Sequence, residues 1–215
     1  MPNNLYTHDA TTEQPRTGWI SDMLEHPSTP YFLGAIVWIL AWWMQMGPLR
    51  PFLNFAPGVE LPFFPAGVRT LAVFIFGFPG AVGVFIGSLV TYFLYFPELV
   101  TASPLGIASC AAASAFSSYI AMRLVCEWRH IPHTLAGLSL RSISWIVVTQ
   151  SILSATLHQT VYRQELFGVS AAPVSTSATL LNWAAMASGD ALGSMSILLS
   201  ILLVYQLLFQ RAQHH

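Results

Sequence analysis

The run Gly80-Ala81-Val82-Gly83-Val84-Phe85-Ile86-Gly87-Ser88-Leu89-Val90-Thr91-Tyr92-Phe93-Leu94-Tyr95-Phe96 carries no charged side chain, and its reading decides the fold. A helix rises about 1.5 Å per residue, so about 20 mostly apolar residues cross the roughly 30 Å of hydrocarbon in a bilayer. Gly77 and Pro79 precede the run and predict a tight turn. Residues 61–76 then form a second apolar segment, expected to be antiparallel to the first. Further segments lie at 31–46, closed by the breakers Gly47, Pro48, Arg50 and Pro51, and at 104–126 and 140–160, with a last one ending near Phe209. The expected fold is an all-α, polytopic integral membrane helical bundle of about six transmembrane helices. Residues 176–209 exceed what one span requires and allow two readings. One is a single long helix from near Ser177; the other is an interfacial segment at 173–188 joined to the last helix at Gly189.

Composition agrees with this class. Hydrophobic residues make up 54% of the 215 and charged residues 8%, against about 25% charged in soluble domains. All eight basic residues are Arg, balanced by nine acids, so there is no basic face for a nucleic-acid backbone and nucleic acid is excluded as a partner. The first 30 residues are polar, with Asp9, Glu13, Arg16, Asp22 and Glu25 and no apolar core of a signal peptide. The expected organisation is a polar cytoplasmic tail at 1–30, a membrane domain at 31–209 and a short cytoplasmic tail at 210–215. With six spans, Arg16, Arg123, Arg129, Arg141 and Arg211 share one side, while Arg50 and Arg163 lie opposite. The positive-inside rule then places both termini in the cytoplasm of a bacterial inner membrane, and the 47–60 and 161–175 loops outside.

A charge inside a span costs at least about 2.5 to 3.5 kcal/mol on insertion scales, so it requires a partner, a water cavity or a function. Arg69 and Asp190 are the clearest cases, at compatible depths from the outer side. They read as an ion pair between helices, as an outward pocket in which the Arg69 fork receives a small anionic ligand, or, for Asp190, as a cap on the last helix. His158, near the outer end of the fifth segment, is a proton-sensitive candidate or a hydrated helix end. Gly80, Gly83 and Gly87, and the small run 110–115, predict close helix contacts. Trp19, Trp42, Trp43, Tyr95, Trp128 and Trp145 lie near span ends as aromatic anchors. His130 and His133 lack further ligands, and Cys110 and Cys126 are too few for a zinc site, so no metal and no cofactor is expected. No nucleophile elbow, phosphate loop or zinc-protease pair occurs, and no enzymatic activity is expected.

The stretch Leu61-Pro62-Phe63-Phe64-Pro65-Ala66-Gly67-Val68-Arg69, the step Phe78-Pro79-Gly80, the step Phe85-Ile86-Gly87-Ser88-Leu89, Asn182-Trp183 and Gly189-Asp190-Ala191-Leu192-Gly193 carry a resemblance. Across residues 61–195 the chain resembles the bacterial membrane-associated sensor domains of the first MASE type. It is also similar to the membrane region of hexose-phosphate-sensing histidine kinases. The resemblance implies functional or structural weight at Pro65, Gly67, Arg69, Gly87, Asp190 and Gly193. Family members have more spans and are fused to output domains, which this chain does not show. The expectation is a stand-alone sensory or adaptor module for signal transduction, with the lipid bilayer and another membrane or signalling protein as partners. The alternatives are a small-solute-binding subunit of a transporter and a non-catalytic assembly subunit of a membrane complex.

Overall fold

Apolar stretches too long for a soluble core become helices that satisfy their own backbone, and loops between them decide the directions. A computed structural model describes residues 26–56, 59–132, 135, 138–161 and 176–212; the polar N-terminal tail before His26 and most of the 161–175 loop lie outside this set. The elements are α1 (Thr29–Met44), a π-helical turn (Gln45–Leu49), α2 (Arg50–Leu53), a hairpin of β1 (Asn54–Ala56) and β2 (Val59–Glu60), α3 (Phe64–Phe76), α4 (Phe78–Tyr95), α5 (Pro97–Ala102), α6 (Pro104–Trp128), α7 (Leu140–Val161) and α8 (Thr176–Ala212). The fold is an all-α helical bundle, and among the described residues five helices are long and apolar enough to cross a membrane: 29–53, 78–95, 104–128, 140–160 and 177–204. The expected sixth, α3, is a shorter apolar helix of 13 residues, about 20 Å long at 1.5 Å per residue.

Neighbour contacts give the directions. The backbone of Ala35 lies against Gly87, that of Tyr31 against Gly83, and Trp42 packs on Tyr95 with ring centroids 6.3 Å apart, so α1 and α4 run parallel. Gly77, at φ 61°, reverses the chain between α3 and α4, a backbone conformation that suits glycine because it has no Cβ. α6 and α7 are antiparallel, with Trp128 on Trp145 at one end and Ser114 beside His158 at the other. α8 runs parallel to α3: the Phe63 N–H donates to Gly189 O at 3.0 Å, and Gly67 faces Gly193 and Ile197. The start of α1 and the last turns of α8 therefore lie at one end of the bundle, the Trp128 end. The hairpin and α5 lie at the other.

Two expectations are corrected. Gly47, Pro48 and Pro51 do not stop the first helix; it continues to Leu53 through the π turn, which holds Pro48. A wider turn accommodates a proline ring that would clash with the carbonyl four residues back, and removes the demand for its missing N–H. The second segment starts three residues late, at Phe64. Of the two readings left open for the last segment, the single long helix is the one present, with 37 residues, and Gly189 is not a joint.

Why α3 can be short follows from where it begins. Its first residues lie level with Gln45, about 12 Å below the end of α2 at 1.5 Å per residue, so residues 59–63 return into the bundle. Irregular backbone at that depth is tolerated only when protein satisfies it. Gln45, fully buried, does so: its Oε1 accepts from Phe64 N–H at 3.3 Å and its Nε2 donates to Pro62 O at 3.2 Å. Pro65 sits in the first turn, where no N–H is needed. Outward-facing side chains such as Phe32, Leu40, Phe93, Leu105, Leu124 and Leu203 are apolar and exposed, as a lipid-facing surface requires.

The tightest approach is between α8 and the start of α3. A Cβ built on Gly193 would fall on the Phe63 carbonyl, with backbone atoms as the obstacle, whereas one on Gly47 meets nothing within 4 Å. Gly193→Ala is expected to lower the thermal stability of the purified protein by an overpacking cost of about 1 to 3 kcal/mol, and Gly47→Ala to leave it unchanged; equal melting of the two variants would contradict this packing.

Candidate functional site

The site is built from the middle turns of four helices. α3 supplies Arg69 and Thr70, α6 Ser114 and Ser118, α7 Gln150, Ser154 and His158, and α8 Asp190 and Ser194; all nine are buried. Arg69 Nη2 donates to Asp190 Oδ2 at 3.0 Å, with the two side chains 1% and 2% exposed. The pairing expected from insertion cost is thus present in the structure. Asp190 lies well inside α8, so it does not cap that helix. Arg69 Nη1 also donates to Ser154 Oγ at 3.4 Å, while its Nε is buried without a hydrogen-bond partner among the described residues.

One turn deeper, Gln150 joins all four helices. Its Oε1 accepts from Thr70 Oγ1 at 2.7 Å and from Ser118 Oγ, and its Nε2 donates to Ser194 Oγ at 2.7 Å. Ala66 O lies 2.8 Å from the same Thr70 hydroxyl and shares its one proton with Gln150. A buried amide in an apolar medium is costly unless paired, and here both its ends are paired.

Towards the hairpin end, His158 continues the seam. Its Nδ1 lies 2.9 Å from Ser154 O, a bond that requires Nδ1–H as donor; Nε2 then accepts from the Ser114 hydroxyl at 3.1 Å. His158 is only 4% exposed, which corrects the expectation of a hydrated helix end: α6 packs over it. Below Gln150 the seam stops. Val73, Ala81, Ala121, Met122, Val125, Cys126 and Ile146 form an apolar cluster there, which closes the Trp128 half. Among the described residues the hydrogen-bonded seam around the ion pair therefore lies in the hairpin half of the bundle; Ser142, buried near the Trp128 end, is bonded to Ser139 instead.

The remaining predicted residues divide. Pro65, Gly67 and Gly193 set the α3–α8 contact that brings Arg69 to Asp190. Gly87 lies instead in the α1–α4 contact, against Ala35 and Trp38, and is no part of the seam. Gly83 also packs on α1, while Gly80 meets Ala72 of α3. Trp42 packs against Trp38 and Phe63, whereas Trp43, Trp128 and Trp145 are exposed; Trp19 and His133 lie outside the described residues. Among the described residues no group of three or more His, Cys, Asp or Glu is placed to hold a metal. Sequence reasoning missed Thr70, Ser114, Ser118, Gln150, Ser154 and Ser194 as a group. A signal existed: Gln150, Ser154 and His158 are spaced four apart and so form one polar stripe on an apolar helix.

Removing one partner of a buried pair strands the other charge, at about 3 to 5 kcal/mol, whereas replacing both by apolar side chains is often neutral. Arg69→Ala or Asp190→Ala alone is expected to lower detergent stability by that order, and Arg69→Met with Asp190→Leu to recover most of the loss. Strictly additive losses in this cycle would contradict energetic coupling. No protein-family model, curated protein or solved structure matches this chain.

Proposed function

We propose that the protein is a sensory or adaptor module of the bacterial inner membrane, akin to the membrane-associated sensor domains of the first MASE type. It takes up a small ligand at the Arg69–Asp190 seam and passes its state to a separate membrane or signalling protein. The observation that carries this reading is the one-sided seam: a buried ion pair and its hydrogen-bonded neighbours fill one half of the bundle, and an apolar cluster seals the other. A polar path for a solute would favour the transporter-subunit alternative, but it would need polar groups in both halves. A pure assembly subunit needs no buried charge, since apolar packing serves as well.

Transmission follows from rigidity. α8 carries Asp190 and continues as a single helix to Ala212, about 33 Å further on at 1.5 Å per residue. α8 packs on α3 and α7, so a shift of Asp190 relative to Arg69 displaces the Trp128 end of α8 relative to the rest of the bundle. The Arg distribution supports the hairpin end as the outer one and both termini as cytoplasmic, with five Arg on the inner side and Arg50 and Arg163 outside. A ligand can shift such an equilibrium only by binding the two states unequally.

The test is a thermal-shift screen of the purified protein against sugar phosphates, organic acids and vitamins. It is followed by distance measurements between spin labels at Phe32→Cys and Leu203→Cys, in a background with Cys110→Ala and Cys126→Ala. The expected result is a compound that raises the melting midpoint, as a ligand specific for the folded state must. Its effect should be absent from the Arg69→Met, Asp190→Leu protein, and binding should change the label distance. Silence across the panel, or stabilisation with no change in the distance, would overturn the sensory reading.

A further inference from the structure

We propose that the seam is proton-linked: a small oxyanion bound at Arg69 enters together with one proton from the water at the hairpin end, and His158 holds that proton. The inference rests on the ligand-binding reading of Arg69 and Asp190 above and adds the ligand's chemical class and its coupling. Arg69 and Asp190 neutralise each other, so an added anion would leave the buried seam with one uncompensated negative charge, a state that a low-dielectric interior strongly disfavours. One proton restores neutrality.

The geometry provides for both parts. Arg69 Nε–H is buried and unpartnered among the described residues, an available donor for a ligand oxygen beside the edge already given to Asp190. Ser154 stands between Arg69 and the imidazole, receiving Nη1 at 3.4 Å and lying 3.5 Å from His158 Nδ1. His158 can gain a proton without losing a bond. Nδ1–H continues to donate to Ser154 O, while the Ser114 hydroxyl, now a donor to Nε2, turns to accept from Nε2–H, because a hydroxyl serves either role. Among the described residues the charged groups acting on His158 are Asp190 from α8 and Arg69 from α3. From α6 it meets the Ser114 hydroxyl, with the thiol of Cys110 one turn away, and the described part of α7 carries no other charged group near it. His158 is thus the group in the seam whose ordinary titration falls near neutrality.

Acetate and methanesulfonate serve as probes, since neither takes up a proton between about pH 6 and 8, where an ordinary histidine titrates. The expected result is binding that weakens by about tenfold per pH unit on the alkaline side, as one linked proton requires. Calorimetry in two buffers of different ionisation enthalpy should show uptake of close to one proton per anion. His158→Gln should bind both anions much more weakly than the unaltered protein at about pH 6, and whatever Arg69-dependent binding remains should be independent of pH. If that variant does not fold, the calorimetric proton count on the unaltered protein decides by itself. Anion binding without proton uptake, or a pH slope that survives in folded His158→Gln, would overturn the proton linkage and leave the ligand-binding reading standing. Failure of both probes to bind would overturn the inference, and failure of the wider panel as well would overturn the reading beneath it.

Discussion

The Arg69 guanidinium and the Asp190 carboxylate meet at 3.0 Å almost wholly out of solvent, and neither charge could remain in an apolar bundle without the other. That constraint reaches through the structure. It fixes the rotation of α3 and α8 about their axes, because both side chains must point into the same gap. It fixes their translation too, because Gly193 lets the Phe63 carbonyl rest on the α8 backbone and so brings the two helices to the right separation. The hydroxyl and amide groups of Thr70, Gln150, Ser118 and Ser194 then fill the space below with mutual hydrogen bonds.

The same physics explains the shape of the chain around α3. Hydrocarbon offers no water to a helix start, and a 13-residue helix beginning at depth exposes backbone donors where they cannot be solvated. Gln45 answers from the π turn of the first helix, and Gly189 O answers from α8. The π turn, the returning hairpin and the short helix are thus one arrangement. Its effect is to place Arg69 in the interior of the bundle, in the hairpin half.

The polar seam and the apolar cluster divide the bundle across its thickness. Polar groups on one side can rearrange, since hydroxyl and amide bonds have alternative partners, while the packed cluster of Val73, Ala121, Val125 and Ile146 behaves as a solid that passes displacement on. On the proposed sensory reading, this division lets a local event in the polar half be passed on as helix movement at the Trp128 end.

The membrane class and the positions of the main helices were legible from 80–96 and its companions, because apolar length and breaker residues act locally. That Arg69 and Asp190 carry weight was legible too, since an intramembrane charge needs a partner, a water cavity or a function, but the sequence left pair, ligand pocket and helix cap open and the structure chose the pair. Other features lay beyond that reach. Pro48 looked like a terminator because proline opposes an α turn, yet packing tolerated it in a π turn. His158 looked like a hydrated end because the sequence shows its place along a helix and not what crosses over it. Gln150, Ser118 and Ser194 lie on three helices and become one network only when those helices meet. The sequence by itself determined which stretches must be helical and which charges must be neutralised, since burial in lipid imposes both on each segment separately. Only the tertiary structure decided which side chains share a hydrogen bond and at which depth, since those depend on rotation and register between helices distant along the chain.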